Sequence, residues 1–283
     1  MSTLGGDWGG AQERDATFDL AVATERARQT SHLGQTLQSY VYPTAVVIAF
    51  IVIWEIVTVL FSVPRYLLPS PLRVAEEMID KTSLLTFHGL VTLYEIILGF
   101  LVSVIVAVPL AVLMTYSRTI ERALYPLLVG SQTIPKVALA PLFMVWLGFG
   151  LAPKILMTFM IAFFPIVIGA VIGLVTIEVE LIYVARSMGA SDWQLFWKVR
   201  LPYAVPSLFG GLKVAITLAV VGAIVAEFVG ADKGLGYIIQ VANGHLDTPL
   251  LLAAVVVISA IGIALYLFVE QCEWLLGRRR RRG

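Results

Sequence analysis

Apolar residues gather into six long runs separated by polar connections. A helix rising about 1.5 Å per residue needs about 20 apolar residues to cross roughly 30 Å of hydrocarbon. The runs therefore predict transmembrane helices at 43–62, 89–115, 123–149, 152–176, 206–229 and 248–275. The expected fold is all-α and integral to a membrane. Six spans occupy residues 41–276, a polar extension covers 1–40, and a basic tail covers 277–283.

The connection over 177–203 breaks the apolar pattern most sharply, because it carries Arg186, Asp192, Lys198 and Arg200 among aromatic residues. Residues 178–188 suit a helix with Leu181, Ala185 and Met188 on one face. Gly189 fits the left-handed position that ends such a helix. Ser191 is an N-cap and Gln194, three residues on, completes a capping box. A second helix is expected from Asp192 to Val199, stopped by Leu201 and Pro202. Trp193, Phe196, Trp197 and Arg200 fall on one stripe of it. Two short helices around a glycine turn form a knob about 10 Å across, able to fill a groove. Tryptophans also favour the lipid headgroup level, which accounts for part of the stripe. It leaves the small Gly189-Ala190-Ser191 apex unexplained.

Other connections are less specific. Ser70 and Pro71 start a short helix whose Leu72, Ala75 and Ile79 make an apolar stripe, suited to an interface. The third run is interrupted by Pro126, Pro135 and Pro141 and contains Gln132, Thr133 and Lys136. It is either a proline-kinked packing helix or a wall of a translocation path, since broken helix at membrane depth needs protein or a watery cavity around it. Gly169 and Gly173, with Gly210 and Gly211, mark close helix packing within a bundle or at a dimer face.

Composition agrees: the chain is 59% hydrophobic and 14% charged, against about 25% charged for soluble domains. A mean hydropathy of +0.88 excludes a single soluble core. Arg278 to Arg282 form a run of like charge that reads as a cytoplasmic end facing anionic lipid rather than a nucleic-acid tail. With both termini inside, the cytoplasmic regions hold thirteen lysines and arginines and the outer loops five. That bias sets the expected topology. Residues 1–20 read as a tail and 21–40 as a possible surface helix, with no secretory signal.

Cys272 is the single cysteine, so no intrachain disulfide or thiolate metal site can form. There is no phosphate-binding GxxxxGK[ST] loop, no HExxH and no GxSxG elbow, and His32, His88 and His245 are scattered. Ionisable residues at membrane depth are Glu55, Glu95, Lys136, Lys213 and Glu227, each a functional candidate because burial there is costly. Lys213 and Glu227 sit near the two ends of their span and are expected to reach water. Glu95, Gln132, Thr133 and Lys136 are the candidates for a polar pathway. An ion-coupled secondary transporter using Glu55, Glu95 and Glu227 is the alternative class; it calls for paired acidic residues on facing helices and for inverted repeats, and no internal repeat is detected.

The 177–203 loop resembles the EAA signature of ABC-importer permeases. Ala185 stands at the last position of that triplet, Gly189 at its glycine, and Val199-Arg-Leu201-Pro202 at its closing element. Tyr183 and Val184 replace the usual Glu-Ala. Leu68-Pro-Ser-Pro71, Ile134-Pro-Lys-Val-Ala-Leu-Ala-Pro141, Trp146-Leu-Gly-Phe-Gly150 and Gly234-Leu-Gly236 are similar to the nitrate/sulfonate/taurine branch. The resemblance implies a type I importer architecture (MetI-like) in a bacterial inner membrane, without its own ATPase site. It implies a second permease copy as a homodimer, a cytoplasmic ATPase dimer that holds the ATP and magnesium, and an external solute-binding protein. The chain itself would bind no cofactor and no nucleic acid. By the same likeness Ala185, Arg186, Gly189, Ala190, Ser191, Asp192, Phe196, Leu201 and Pro202 would couple to the ATPase. The solute would be a sulfonate, nitrate, bicarbonate, an aromatic acid or a vitamin precursor. Glu95 stands where some relatives carry a basic residue, which disfavours a small inorganic anion.

Overall fold

The computed structural model describes residues 41–280. The 1–40 extension, with its expected tail and surface helix, and the last arginines of the basic run lie outside the described residues. The chain divides into two compact units at Val63 and Pro64. The first holds α1 (Val41–Leu60), whose apolar side chains are exposed along nearly its whole length, as suits a helix solvated by lipid.

The second unit contains α2 (Pro71–Asp80), α3 (Thr82–Tyr116), α4 (Arg118–Gln132), α5 (Ala140–Leu147) and α6 (Leu151–Val175). It continues with α7 (Val179–Ser187), α8 (Asp192–Leu195), α9 (Leu201–Gly230), α10 (Leu235–Gly244) and α11 (Thr248–Arg280). No strand occurs among the described residues. Among them, α1, α3, α6, α9 with α8, and α11 are each long and apolar enough to cross a membrane, and a bent pair makes a sixth when its two halves are counted as one span.

That pair corrects the expectation of one helix over 123–149. α4 ends at Gln132, a 3-10 turn covers Lys136–Leu139, and the two halves meet at 85°. Pro135 stands at the break in extended backbone, where its ring and missing N–H prevent α4 from continuing. Pro126 is tolerated within α4, and Pro141 sits in the first turn of α5, where a missing N–H costs nothing. α2 starts as expected: Ser70 Oγ accepts from the Arg73 N–H and Pro71 opens the helix. Its Val74 packs inward while Leu72 and Ile79 stay exposed.

Small residues hold the bundle together. A Cβ on Gly211 would lie 2.6 Å from the Pro165 carbonyl oxygen of α6, and one on Gly169 would lie 2.9 Å from that of Ser207 in α9. Gly173 meets Ala204, and Gly222 meets Thr158, in the same close fashion. The glycine pattern thus serves the α6–α9 contact inside the bundle. Ala107, Ala111, Ala162, Ala215, Ala219 and Ala223 fill the core around it, with Ile96, Met157 and Ile166 as the bulky members. In lipid, where no hydrophobic force drives helices together, such close approach supplies dispersion contacts instead.

Two further corrections concern connections. The helix after Ser191 does not stop at Leu201 and Pro202. A π-helical turn over Phe196–Arg200 joins α8 to α9, closed by the Leu201 N–H donating to the Phe196 carbonyl. The proline ring, placed in the first turn of α9, is absorbed by that wider turn. Between the fifth and sixth runs, α10 forms where no helix was expected. One end of the bundle, the α10 end, carries α2 and α10, and the other, the α8 end, carries α7 and α8.

Candidate functional site

At the α8 end the knob is built by its own caps. The Gly189 N–H donates to the Arg186 carbonyl at 2.9 Å, and the Ala190 N–H to that of Ala185 at 3.1 Å. This pair of bonds is the Schellman arrangement, and Gly189 adopts the left-handed φ of 80° that it requires. The capping box at Ser191 and Gln194 is complete in both directions, at 3.3 and 3.1 Å. Across the turn an Arg186 N–H donates to Asp192 Oδ1 at 3.1 Å. Ala185–Asp192 is thus a pre-formed elbow closed by hydrogen bonds within its own loop.

What the elbow shows outward is unusually apolar. Tyr183, Val184, Met188 and Trp193 are all exposed, Met188 at 82%. A Cβ on Gly189 would meet nothing within 4 Å, so the apex stands clear of the rest of the protein. Leu195, 2% exposed, is the anchor that sequence reasoning passed over. Of the expected stripe, Phe196 and Arg200 turn inward to the Tyr116 ring, whereas Trp193 and Trp197 face out. Leu201 and Pro202 follow at the start of α9.

The four pathway candidates separate. At the α4–α5 bend, Lys136 Nζ donates to Gln132 Oε1 at 2.5 Å, and the Thr133 hydroxyl donates to the Gly130 carbonyl. Gln132 and Thr133 are exposed there, beside Ile134 and Val137. Glu95 is instead buried at the α10 end, where Lys154 Nζ donates to its Oε1 at 2.7 Å.

That ion pair belongs to a cluster which ties four helices together. Lys154 also donates to the Lys233 carbonyl at 3.3 Å. The Thr92 hydroxyl donates to Glu227 Oε1 at 2.7 Å, and Thr92 Oγ1 in turn accepts from the Leu235 N–H at 2.8 Å. Glu227 Oε2 accepts from the Gly236 N–H, and His88 Nδ1 accepts from that of Gly234 at 3.0 Å. Three amide N–H groups at the start of α10 are therefore capped by side chains from α3 and α9. A carboxylate at a helix N-terminus also meets the favourable end of its dipole.

Glu227 was expected to reach water. It is wholly buried, and Gly234 and Gly236 explain why, because a Cβ on either would collide with its side chain. Lys154 was assigned to a connection and lies in the first turn of α6, 4% exposed. Lys213 bonds Glu273 at 2.7 Å, joining α9 to α11. The signal for the cluster was present in Gly234-Leu-Gly236, two residues without side chains that follow an acid at membrane depth. Sequence spacing alone could not pair that acid with Thr92.

A bent helix pair between two long apolar helices, an alanine- and glycine-packed bundle and a capped knob between α6 and α9 define a multi-pass helical membrane protein. Residues 81–282 match the family model of the binding-protein-dependent transport system inner membrane component, and the chain belongs to that family. It is a membrane-spanning permease subunit of an ATP-driven ABC importer, working with an ATPase and a substrate-binding protein.

Among curated relatives it is 38% identical to a probable ABC transporter permease protein of Haemophilus influenzae, over 83% of this chain and 95% of that one. It is 37% identical to the formylaminopyrimidine transport permease ThiX of Halalkalibacterium halodurans, over 83% and 94%. It is 38% identical to the riboflavin transport system permease RibX of Chloroflexus aurantiacus, over 86% and 93%. In fold it is similar to a chain of the MetNI methionine ABC transporter in an inward-facing conformation. That likeness has a TM-score of 0.57 at 21% identity, over 65% of this chain and 92% of that one.

Proposed function

We propose that Ala185–Asp192 is the surface on which the ATPase docks, with Arg186, Gly189, Ala190, Ser191 and Asp192 at the contact and Phe196, Leu201 and Pro202 joining it to the span behind. The observation that carries this reading is the pre-capped elbow itself. A loop whose turn is already closed by its own hydrogen bonds loses little further conformational freedom on docking. Its exposed Met188 and Trp193 offer the flexible and aromatic anchors that protein interfaces favour.

The α8 end is then cytoplasmic, both termini are inside a bacterial inner membrane, and ATP and magnesium reside on the ATPase, leaving this chain without a cofactor. The charge bias of the connections supports that orientation. A second copy of this permease completes the pathway as a homodimer. Gln132, Thr133 and Lys136, at the exposed 85° bend, supply its polar wall. Glu95, held by Lys154, serves the scaffold.

For the solute we infer a neutral heterocycle of the pyrimidine or flavin kind, delivered by an external binding protein. Support comes from the substrates for which the ThiX and RibX relatives are named, relatives more similar to this chain than the 30% identical taurine permease TauC of Escherichia coli. Calorimetric titration of the partner solute receptor with a formylated aminopyrimidine, riboflavin, taurine and nitrate tests it. Binding of a heterocycle at micromolar or tighter affinity is expected; binding of taurine or nitrate alone contradicts it.

A further inference from the structure

The knob is linked to the bundle by two routes, and the second is made of side chains. Along the first, α8, the π turn and α9 form one continuous helical rod from Asp192 to Gly230. The second runs sideways to Tyr116, the last residue of α3. The Arg200 guanidinium carbon lies 5.2 Å from the Tyr116 ring centroid, and the Phe196 ring packs against the same ring at 6.0 Å. Trp197 stands edge-on to Phe196 at 5.4 Å, and Trp193 to Trp197 at 5.4 Å. An unbroken chain of rings therefore leads from the exposed knob to the end of α3. Arg200 Nε is buried and makes no hydrogen bond, so the ring is a main partner of that end of the guanidinium.

Two physical features make this contact suited to passing on movement. The residues that touch Tyr116, Phe196 and Arg200, are the first and last of the π turn. Such wide turns are uncommon, interrupt the regular register of an α-helix and occur frequently at functional sites. α3 is also a rod of 35 residues, about 50 Å long, and its other end carries His88, Thr92 and Glu95. A displacement of Tyr116 therefore acts on the helix that caps α10.

Resting on the docking role of the knob, we propose that Tyr116, Phe196 and Arg200 are positioning residues that transmit ATPase movement to α3, through ring and cation contact rather than through the backbone.

The test uses the full permease–ATPase complex purified from native membranes. Cys272, the only cysteine, is changed to Ser, and a nitroxide is placed at Thr86→Cys on the exposed side of α3 at its α10 end. The readout is the change in nitroxide mobility on adding ATP and vanadate. Tyr116→Leu is expected to cut that change about five-fold, with ATPase content and hydrolysis kept, because a cation–π contact is worth about 1 kcal/mol. Tyr116→Trp, which keeps a ring face, is expected to restore it. An unaltered mobility change in Tyr116→Leu, or an equal loss in Tyr116→Trp, overturns the proposal while leaving the knob reading intact. Absence of ATPase from the unsubstituted complex, or a label there indifferent to ATP and vanadate, overturns both.

Discussion

The two ends of this bundle place the same chemistry in opposite surroundings. Each has an acid–base pair, glycines and aromatic neighbours. At the α10 end the Glu95–Lys154 side chains are 3% and 6% exposed; at the α8 end those of Asp192 and Arg186 are 78% and 60% exposed. Gly234 sits against the Glu227 carboxylate, whereas Gly189 has nothing within reach. Polar groups that are buried and bonded across helices fix a scaffold. Polar groups bonded only within their own loop leave a surface free for a partner. Exposure and the identity of the partner element therefore separate the polar groups that hold the bundle from those open to a partner, where charge alone does not.

The contrast can be broken most forcefully at Lys154. Lys154→Met leaves Glu95 buried without its cation, and a loss of about 3–5 kcal/mol in stability is expected. The double variant Lys154→Met, Glu95→Gln should recover a large part of that loss, measured as thermal stability in detergent. Recovery of nothing would mean that the pair is not the source of the effect. Gly234→Ala comes next. It forces a side chain toward Glu227 at a φ of 116° and is expected to cost about 1–3 kcal/mol, with faster amide exchange in α10. Unchanged exchange would show that the cap does not hold α10. The smallest expected effect is that of Arg186→Ala. An exposed pair contributes under about 1 kcal/mol, so stability should hold within error while ATPase affinity falls. A large destabilisation there would erase the distinction between the two ends.

Much of this was legible in sequence because it depends on local chemistry. Five of the six runs appear as single helices near their expected bounds, since apolar length alone determines a span. The Gly189 turn and the Ser191 capping box were readable because caps act over three or four residues. Legibility failed where distant residues decide. Glu227 lies 135 positions from Thr92, and no periodicity announces that bond. Lys154 looked like a loop residue until α3 supplied its partner. Pro202 looked like a helix stop, because the π turn that accommodates it is not a propensity but a fit between α8 and α9. The 85° bend after Gln132 was foreshadowed by three prolines, though not which of them would break the helix.

The docking role of the knob is tested most directly by Gly189→Asp. The position needs a left-handed backbone and projects into open space, so the substitution disturbs the apex and spares the bundle. The decisive measurement is ATPase retained per permease after purification from native membranes, alongside the melting temperature. Expected is a permease that melts within a few degrees of the unsubstituted protein, by about 1 kcal/mol of local strain, and retains almost no ATPase. Full retention of an ATPase that still drives transport would contradict the assignment.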